Sequence, residues 1–213
     1  MGFETNRVAM WLRLFSFLVC INLTLCFLQE MTFYMEPDYG GNAFRFRTKE
    51  PDLTAYWPLW GEVKWLCGNG YWQGFGGTGY TDGSTFAYNS GGMTCTNTSV
   101  NSTMSMRFLG PLETTTPSVS IYSGSSYDPA GGTERIFTNL AANSFGFVPT
   151  YMALTGRSNW TGFINEDFSG NSTCFSTSEL VAGISLEGIE IRSLVQGCNA
   201  IYESKYVDVD KVL

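Results

Sequence analysis

The chain contains no histidine in its 213 residues. That absence excludes imidazole acid/base catalysis, Ser-His-Asp and Cys-His triads, and zinc centres built on histidine. No Cys-x-x-Cys pair occurs, so the close-set thiolate spacing of a metal knuckle is missing too. Charge is scarce: only 15% of residues are ionic, and 12 Lys and Arg stand against 19 Asp and Glu, for a net charge of −7. With no basic run to displace counterions from a phosphate backbone, nucleic acid is not an expected partner.

What the chain has instead is aromatics, at 15%, and 24 glycines. That mixture favours strands joined by Gly-rich turns over helices, whose outer faces need Lys and Glu for solvation. The first thirty residues stand apart. Arg7 and Arg13 lead into an apolar run from Leu14 to Leu28, broken only by Ser16, Asn22 and Thr24. About 15 residues is short for a membrane span and suits the core of a signal peptide. Processing is expected near Thr24-Leu25-Cys26; the rival is an uncleaved signal anchor, with the two arginines in the cytosol.

Export agrees with the cysteines. Cys20 and Cys26 fall in the leader, which leaves Cys67, Cys95, Cys174 and Cys198. Four cysteines allow three pairings, and the sequence does not choose among them. If each half closes its own loop, the pairs are Cys67–Cys95 and Cys174–Cys198, each worth roughly 3 kcal/mol in chain entropy. Asn97, Asn101, Asn159 and Asn171 open Asn-x-Ser/Thr sequons, candidate glycosylation sites on surface loops of an exported chain.

The strongest signal is an internal repeat. An aromatic, a second aromatic five residues on and a glycine two further occur at Tyr34-Tyr39-Gly41 and at Phe163-Phe168-Gly170. Looser copies begin at Phe75 with Tyr80 and at Tyr122 with Tyr127, their glycines delayed to Gly83 and Gly131. The first and third copies are 88 residues apart, as are the second and fourth. Leu66/Leu154, Gly68/Gly156, Trp72/Trp160 and Ser105/Ser193 keep the same offset. A whole set in register predicts a duplicated two-motif unit. Strand-like alternation in Met31-Thr32-Phe33-Tyr34 and Ala43-Phe44-Arg45-Phe46 brackets a turn-rich hairpin, whose glycine is expected at positive φ and whose aromatics pack across it.

This pattern of aromatic, four residues, aromatic, one residue and glycine, in alternating pairs, resembles the βγ-crystallin Greek-key motif over residues 31–198. The resemblance implies an all-β chain of two Greek-key β-sandwich domains, four motifs in all. Domain 1 would span 31–110 and domain 2 118–198, with 111–117 as the linker. The leader, 1–30, precedes them and the tail, 199–213, follows, without an assigned role. The family's calcium signature needs two adjacent Asn/Asp residues, and this sequence has no such pair. Its weak remnant is Asn101 with Ser105, the serine being equally a structural residue of the hairpin. No metal or cofactor is expected, and calcium is not favoured.

Catalysis finds little to work with. Glu166 and Asp167 are adjacent in the fourth hairpin and read as a solvated turn, and Gly74–Gly79 lacks the lysine and helix of a phosphate loop. A non-enzymatic, secreted structural or interaction protein is expected. The alternatives are an extracellular glycan- or protein-binding module using exposed aromatics, and a calcium-binding crystallin with degenerate sites. Tyr56, Trp57, Trp60 and Trp65 crowd one stretch of the first half, with Phe145, Phe147 and Tyr151 in the similar region of the second. Trp57 and Trp60, flanking Pro58, are the candidates for binding, and Trp65 for the core. An extracellular protein, a glycan or a second copy of the chain is the expected partner.

Overall fold

The computed structural model describes residues 27–198, so the leader up to residue 26 and the tail from 199 lie outside the described residues. Within them the chain is all-β. Its strands are β1 Glu30–Tyr34, β2 Ala43–Phe46, β3 Trp65–Gly77, β4 Thr81–Asn97, β5 Ser105–Phe108, β6 Ser118–Tyr122 and β7 Glu134–Phe137. They continue with β8 Ala141–Ala142, β9 Tyr151–Thr155, β10 Asn159–Phe163, β11 Ser172–Ser176, β12 Val181–Ser185 and β13 Ser193–Gln196. A 3₁₀ turn at Thr54–Tyr56 runs into a one-turn helix, α1, at Trp57–Trp60, which Pro58 starts with its preset φ. Among the described residues no helix is long and apolar enough to cross a membrane.

Strand character follows from period-2 patterning. In β6, Val119 and Ile121 face an apolar core, while Ser118 turns the other way to share a 2.6 Å hydrogen bond with Thr155. The second half forms two antiparallel four-stranded sheets, ordered β12-β9-β6-β7 and β11-β10-β13-β8. Each sheet takes one strand from the neighbouring run of the chain: β8 leaves β6, β7 and β9 to pair with β13, and β12 leaves β10, β11 and β13 to pair with β9. That exchange interlocks the sheets around Val119, Ile121, Leu154, Trp160 and Leu194.

The first half follows the same order with its strands merged. β1 and β6, and likewise β5 and β13, lie 88 residues apart from end to end. The 13-residue β3 does the work of both β9 and β10: its beginning pairs with β1 and its end with β5. The 17-residue β4 runs alongside it throughout, with register shifts between Gly68 and Gly70 and again between Gly74 and Gly77. The result is one five-stranded sheet, not the two separate sheets expected of a sandwich, and the strand that would answer to β8 is reduced to a bridge from Glu50 to Met106. Met31, Phe33, Trp60, Leu66, Trp72 and Met106 form its core. Trp72 and Trp160, paired by the repeat, are both fully buried and donate from Nε1 to Asn69 O and Ser158 Oγ, each at 3.0 Å.

Cys67 and Cys95 sit opposite one another on β3 and β4 and are joined; Cys174 is joined to Cys198. The segment read as a linker is tied down at both ends. Leu112 O accepts the Gln29 N–H, Thr114 is fully buried with its Oγ1 on Phe27 O, and Thr116 O accepts the Thr155 hydroxyl. Residues 27–30, placed with the leader on sequence, belong to the folded body: Leu28 bridges Glu113 and Gln29 is fully buried.

Gly156 closes this arrangement at φ +68, where a Cβ would meet the Pro117 nitrogen at 2.4 Å and Thr116 C at 2.6 Å. Gly188 has a similar φ of +73 with open space around it. Gly188→Ala is therefore expected to cost about 1–2 kcal/mol from backbone strain. Gly156→Ala is expected to cost more than that, since strain and a backbone clash add. Urea unfolding of the two variants checks the order, and equal losses would contradict it.

Candidate functional site

Two kinds of construction organise the polar residues: hairpin locks and a buried seam. In the locks the second aromatic of the repeat adopts a left-handed backbone, at φ 67 for Tyr39, 65 for Tyr80 and 62 for Phe168. Gly41 and Gly170 follow at φ 70 and 81, and Asp82 and Gly83 at 63 and 80. This corner folds the second ring edge-on to the first, with centroids 5.8 Å apart for Tyr34–Tyr39, 5.7 Å for Phe75–Tyr80 and 6.5 Å for Phe163–Phe168. A hydroxyl from a later strand pins two of the corners. Ser105 Oγ donates to Gly77 O at 2.6 Å and accepts from Tyr80 N at 3.0 Å; Ser193 Oγ donates to Asn165 O at 2.6 Å.

The third copy departs from this. Tyr127 is 91% exposed and does not cover Tyr122, and Gly132, not Gly131, takes the positive φ, at 64. The physical reason is that the face of Tyr122 is taken: the Arg107 guanidinium carbon lies 4.6 Å from its centroid, and Tyr151 packs edge-on at 6.2 Å. Thr150 Oγ1 donates to Tyr122 O and Pro129 O at this place.

Arg107 is the centre of the seam where the five-stranded sheet meets the β12-β9-β6-β7 sheet. It is buried in β5, donates to Gly132 O at 2.9 Å and to Ala130 O, and also stacks on Tyr80 at 4.5 Å. Beside it Lys49 pairs with Glu134 and donates to Gly110 O at 2.8 Å. Glu134 accepts from the Tyr122 hydroxyl at 2.8 Å and Gly110 N at 3.1 Å. Tyr71 and Tyr151 share a hydroxyl contact of 3.0 Å, and the Gln29 amide donates to Leu109 O and Pro111 O at 2.8 Å each. Burial lowers the Lys49 pKa despite Glu134, and burial raises those of Tyr122 and Tyr151. Tyr80 is pushed up to about 12, again mainly by burial. Most of these groups face one another rather than a substrate-sized opening.

The candidate binding pair divides. Trp60 is buried in the first core, with Nε1 donating to Thr103 O at 2.8 Å, so it is not available at the surface; Trp57, one turn away, is 48% exposed. Trp65 is half-buried in β3, and Phe145 is buried. Ser105 is fully buried with its hydroxyl committed to the hairpin, and Asn101 is exposed in a turn. Among the described residues no three Asp, Glu or Cys side chains gather as metal ligands. Asn97, Asn101, Asn159 and Asn171 are all exposed, as are Glu166 and Asp167. Sequence reading missed the seam. Its one visible sign was Arg107, a lone charge between Met106 and Phe108 in a charge-poor strand.

Ser105→Ala would leave the part-buried Tyr80 N–H and the buried Gly77 carbonyl without this partner. The expected loss is about 1–3 kcal/mol, and Ser193→Ala, which breaks a single bond to Asn165, should lose less. Paired thermal melts read this, and a neutral Ser105→Ala would show that the hydroxyl does not hold the corner.

No family model and no curated protein matches the sequence. Among solved structures the fold is similar to Geodin, a beta-gamma crystallin from Geodia cydonium, with a TM-score of 0.56 at 14% identity, covering 80% of this chain and 99% of that one. The paired-aromatic corners, the strand exchange and this likeness agree: the chain has the βγ-crystallin fold.

Proposed function

We propose that the chain is a non-enzymatic, exported structural or interaction protein made of two βγ-crystallin-type domains in tandem. Domain 1 runs from residue 27 to 110 and domain 2 from 118 to 198, with two Greek-key motifs each. The observation that carries this reading is the 88-residue recurrence of strands and buried tryptophans, with a separate apolar core in each half. Two disulfides, each closing a loop within one half, support an oxidising compartment, as does the exposure of all four sequons. The polar network at the seam supports a building role. It is spent on joining the halves, and it contains no nucleophile set against a base.

Of the candidate binding pair, Trp57 stays at the surface, as do Tyr39 and Tyr127 elsewhere, and Trp60 is lost to the core. Interaction with an extracellular protein or glycan is therefore secondary to the structural role in this proposal.

Expression through a secretory pathway tests the reading. The protein is expected in the medium with its first residue at or before Phe27, since Phe27 O and Gln29 hold the 109–114 segment. Glycosidase treatment should shift its mass by up to four N-glycans. Reduction should lower stability by roughly 3 kcal/mol for each loop opened. Retention on the cell surface with an intact N-terminus would favour the anchor, and a melt indifferent to reductant would remove the disulfides from the argument.

A further inference from the structure

One of the four sequons stands beside an aromatic surface. The outward face of the five-stranded sheet is marked by the Cys67–Cys95 bridge, which joins register partners on β3 and β4. Two residues along, Trp65 and Asn97 are again register partners, and the period-2 alternation of strands puts them on that same face. The row continues across β1 and β2 to Tyr34 and Ala43. Register partners hold their Cβ atoms about 5 Å apart, so Asn97 and Trp65 are immediate neighbours.

The surface is larger than one ring. Tyr39 folds back over the same face, its ring edge-on to Tyr34 at 5.8 Å and its hydroxyl 3.4 Å from Cys95 Sγ. It reaches from the Tyr34 row to the disulfide row and is 62% exposed. Tyr34 and Trp65 are half-buried. Trp65 Nε1 is itself enclosed, so what the indole leaves at the surface is carbon. Asn97 is exposed, and among the described residues none bonds its side-chain amide. The other sequons lack this setting. Asn159 faces Ser176 across β10 and β11, Asn101 lies in a turn, and Asn171 opposes Ile164, whose N–H its carbonyl accepts.

Aromatic carbon at a surface suits a ligand with one apolar C–H face and a polar rim, and a pyranose sugar has both. A sugar attached to Asn97 is already at the rings. Its contact is intramolecular, so it avoids the association entropy that a free sugar loses on binding.

We propose that the surface formed by Trp65, Tyr34 and Tyr39 is the seat of the chain's own Asn97 glycan, whose first N-acetylglucosamine residues stack on these rings. The inference rests on the exported, glycosylated reading above. The modification then works as part of the fold: it covers apolar carbon that would otherwise face water, and it fastens the end of the edge strand β4 to β3 and β1.

Mass spectrometry of glycopeptides from the secreted protein reads occupancy at Asn97, and NMR of the same intact protein reads the contact. Asn97 is expected to be occupied. Nuclear Overhauser contacts should join its first sugars to ring protons of Trp65 and Tyr39, with the sugar protons displaced upfield by the ring currents. Asn97→Gln should lower the melting temperature by about 2–4 °C. In a Trp65→Leu background the same substitution should shift nothing measurable. An empty Asn97 with other sequons filled overturns the inference and leaves export standing. So does an occupied Asn97 whose sugars touch none of these rings, a result that needs no variant to fold. A protein without N-glycans and absent from the medium overturns both readings at once.

Discussion

The fold turns on a corner that L-amino acids resist. At Tyr39, Tyr80 and Phe168 a side-chain-bearing residue sits at positive φ, a conformation that costs about 1–2 kcal/mol. The cost is met locally, by a ring folded edge-on against the strand's own aromatic, and at two corners also by a hydroxyl from a strand 25 or more residues away. Without the corner the β3–β4 and β10–β11 hairpins would not fold back over their own first strands. The hydroxyl pins would then lose their targets, and the sheets their closure. Local strain here is a condition of long-range order.

The third corner shows what happens when the same site is put to another use. Tyr122 has its edge partner in Tyr151 and its face against Arg107, and Tyr127 is released to solvent. Burying a guanidinium is expensive unless its donors are met and its charge is answered. Here two backbone carbonyls take its terminal N–H groups and two tyrosine faces stack on it, while Nε stays buried without a partner and Glu134 compensates Lys49 alongside. The repeat has given up one lock to gain a seam between its halves.

Much of this was legible in the residues, and the failures have physical causes. Aromatic spacing located the three ring-paired corners at Tyr39, Tyr80 and Phe168, because ring pairing across a tight turn needs fixed spacing. It could not show that Tyr127 is displaced, since the competitor, Arg107, comes from 20 residues upstream. The 88-residue offset matched β1 to β6 and β5 to β13, but gave no warning that β3 and β4 run on without a break. Where the second half breaks between β9 and β10 at Gly156, the first half absorbs the same join as bulges around Gly68 and Gly70. Trp57 and Trp60 were joint candidates for binding because they flank Pro58; the short α1 leaves Trp57 at the surface and turns Trp60 inward. The seam was invisible because its charges, Lys49, Arg107, Asp128 and Glu134, are scattered over 86 positions and meet only when the sheets dock.

Gln29 carries a consequence for the order of events during synthesis. Its amide joins the start of the first strand to carbonyls 80 and 82 residues downstream, and its Oε1 takes the Tyr71 N–H. A chain emerging from its N-terminus cannot complete that clasp until Pro111 has followed. The opening strand must wait, with its cap unmade, while everything between is laid down. The first half thus has a built-in finishing step, and the residue that completes it is made 80 residues or more before the carbonyls it clasps.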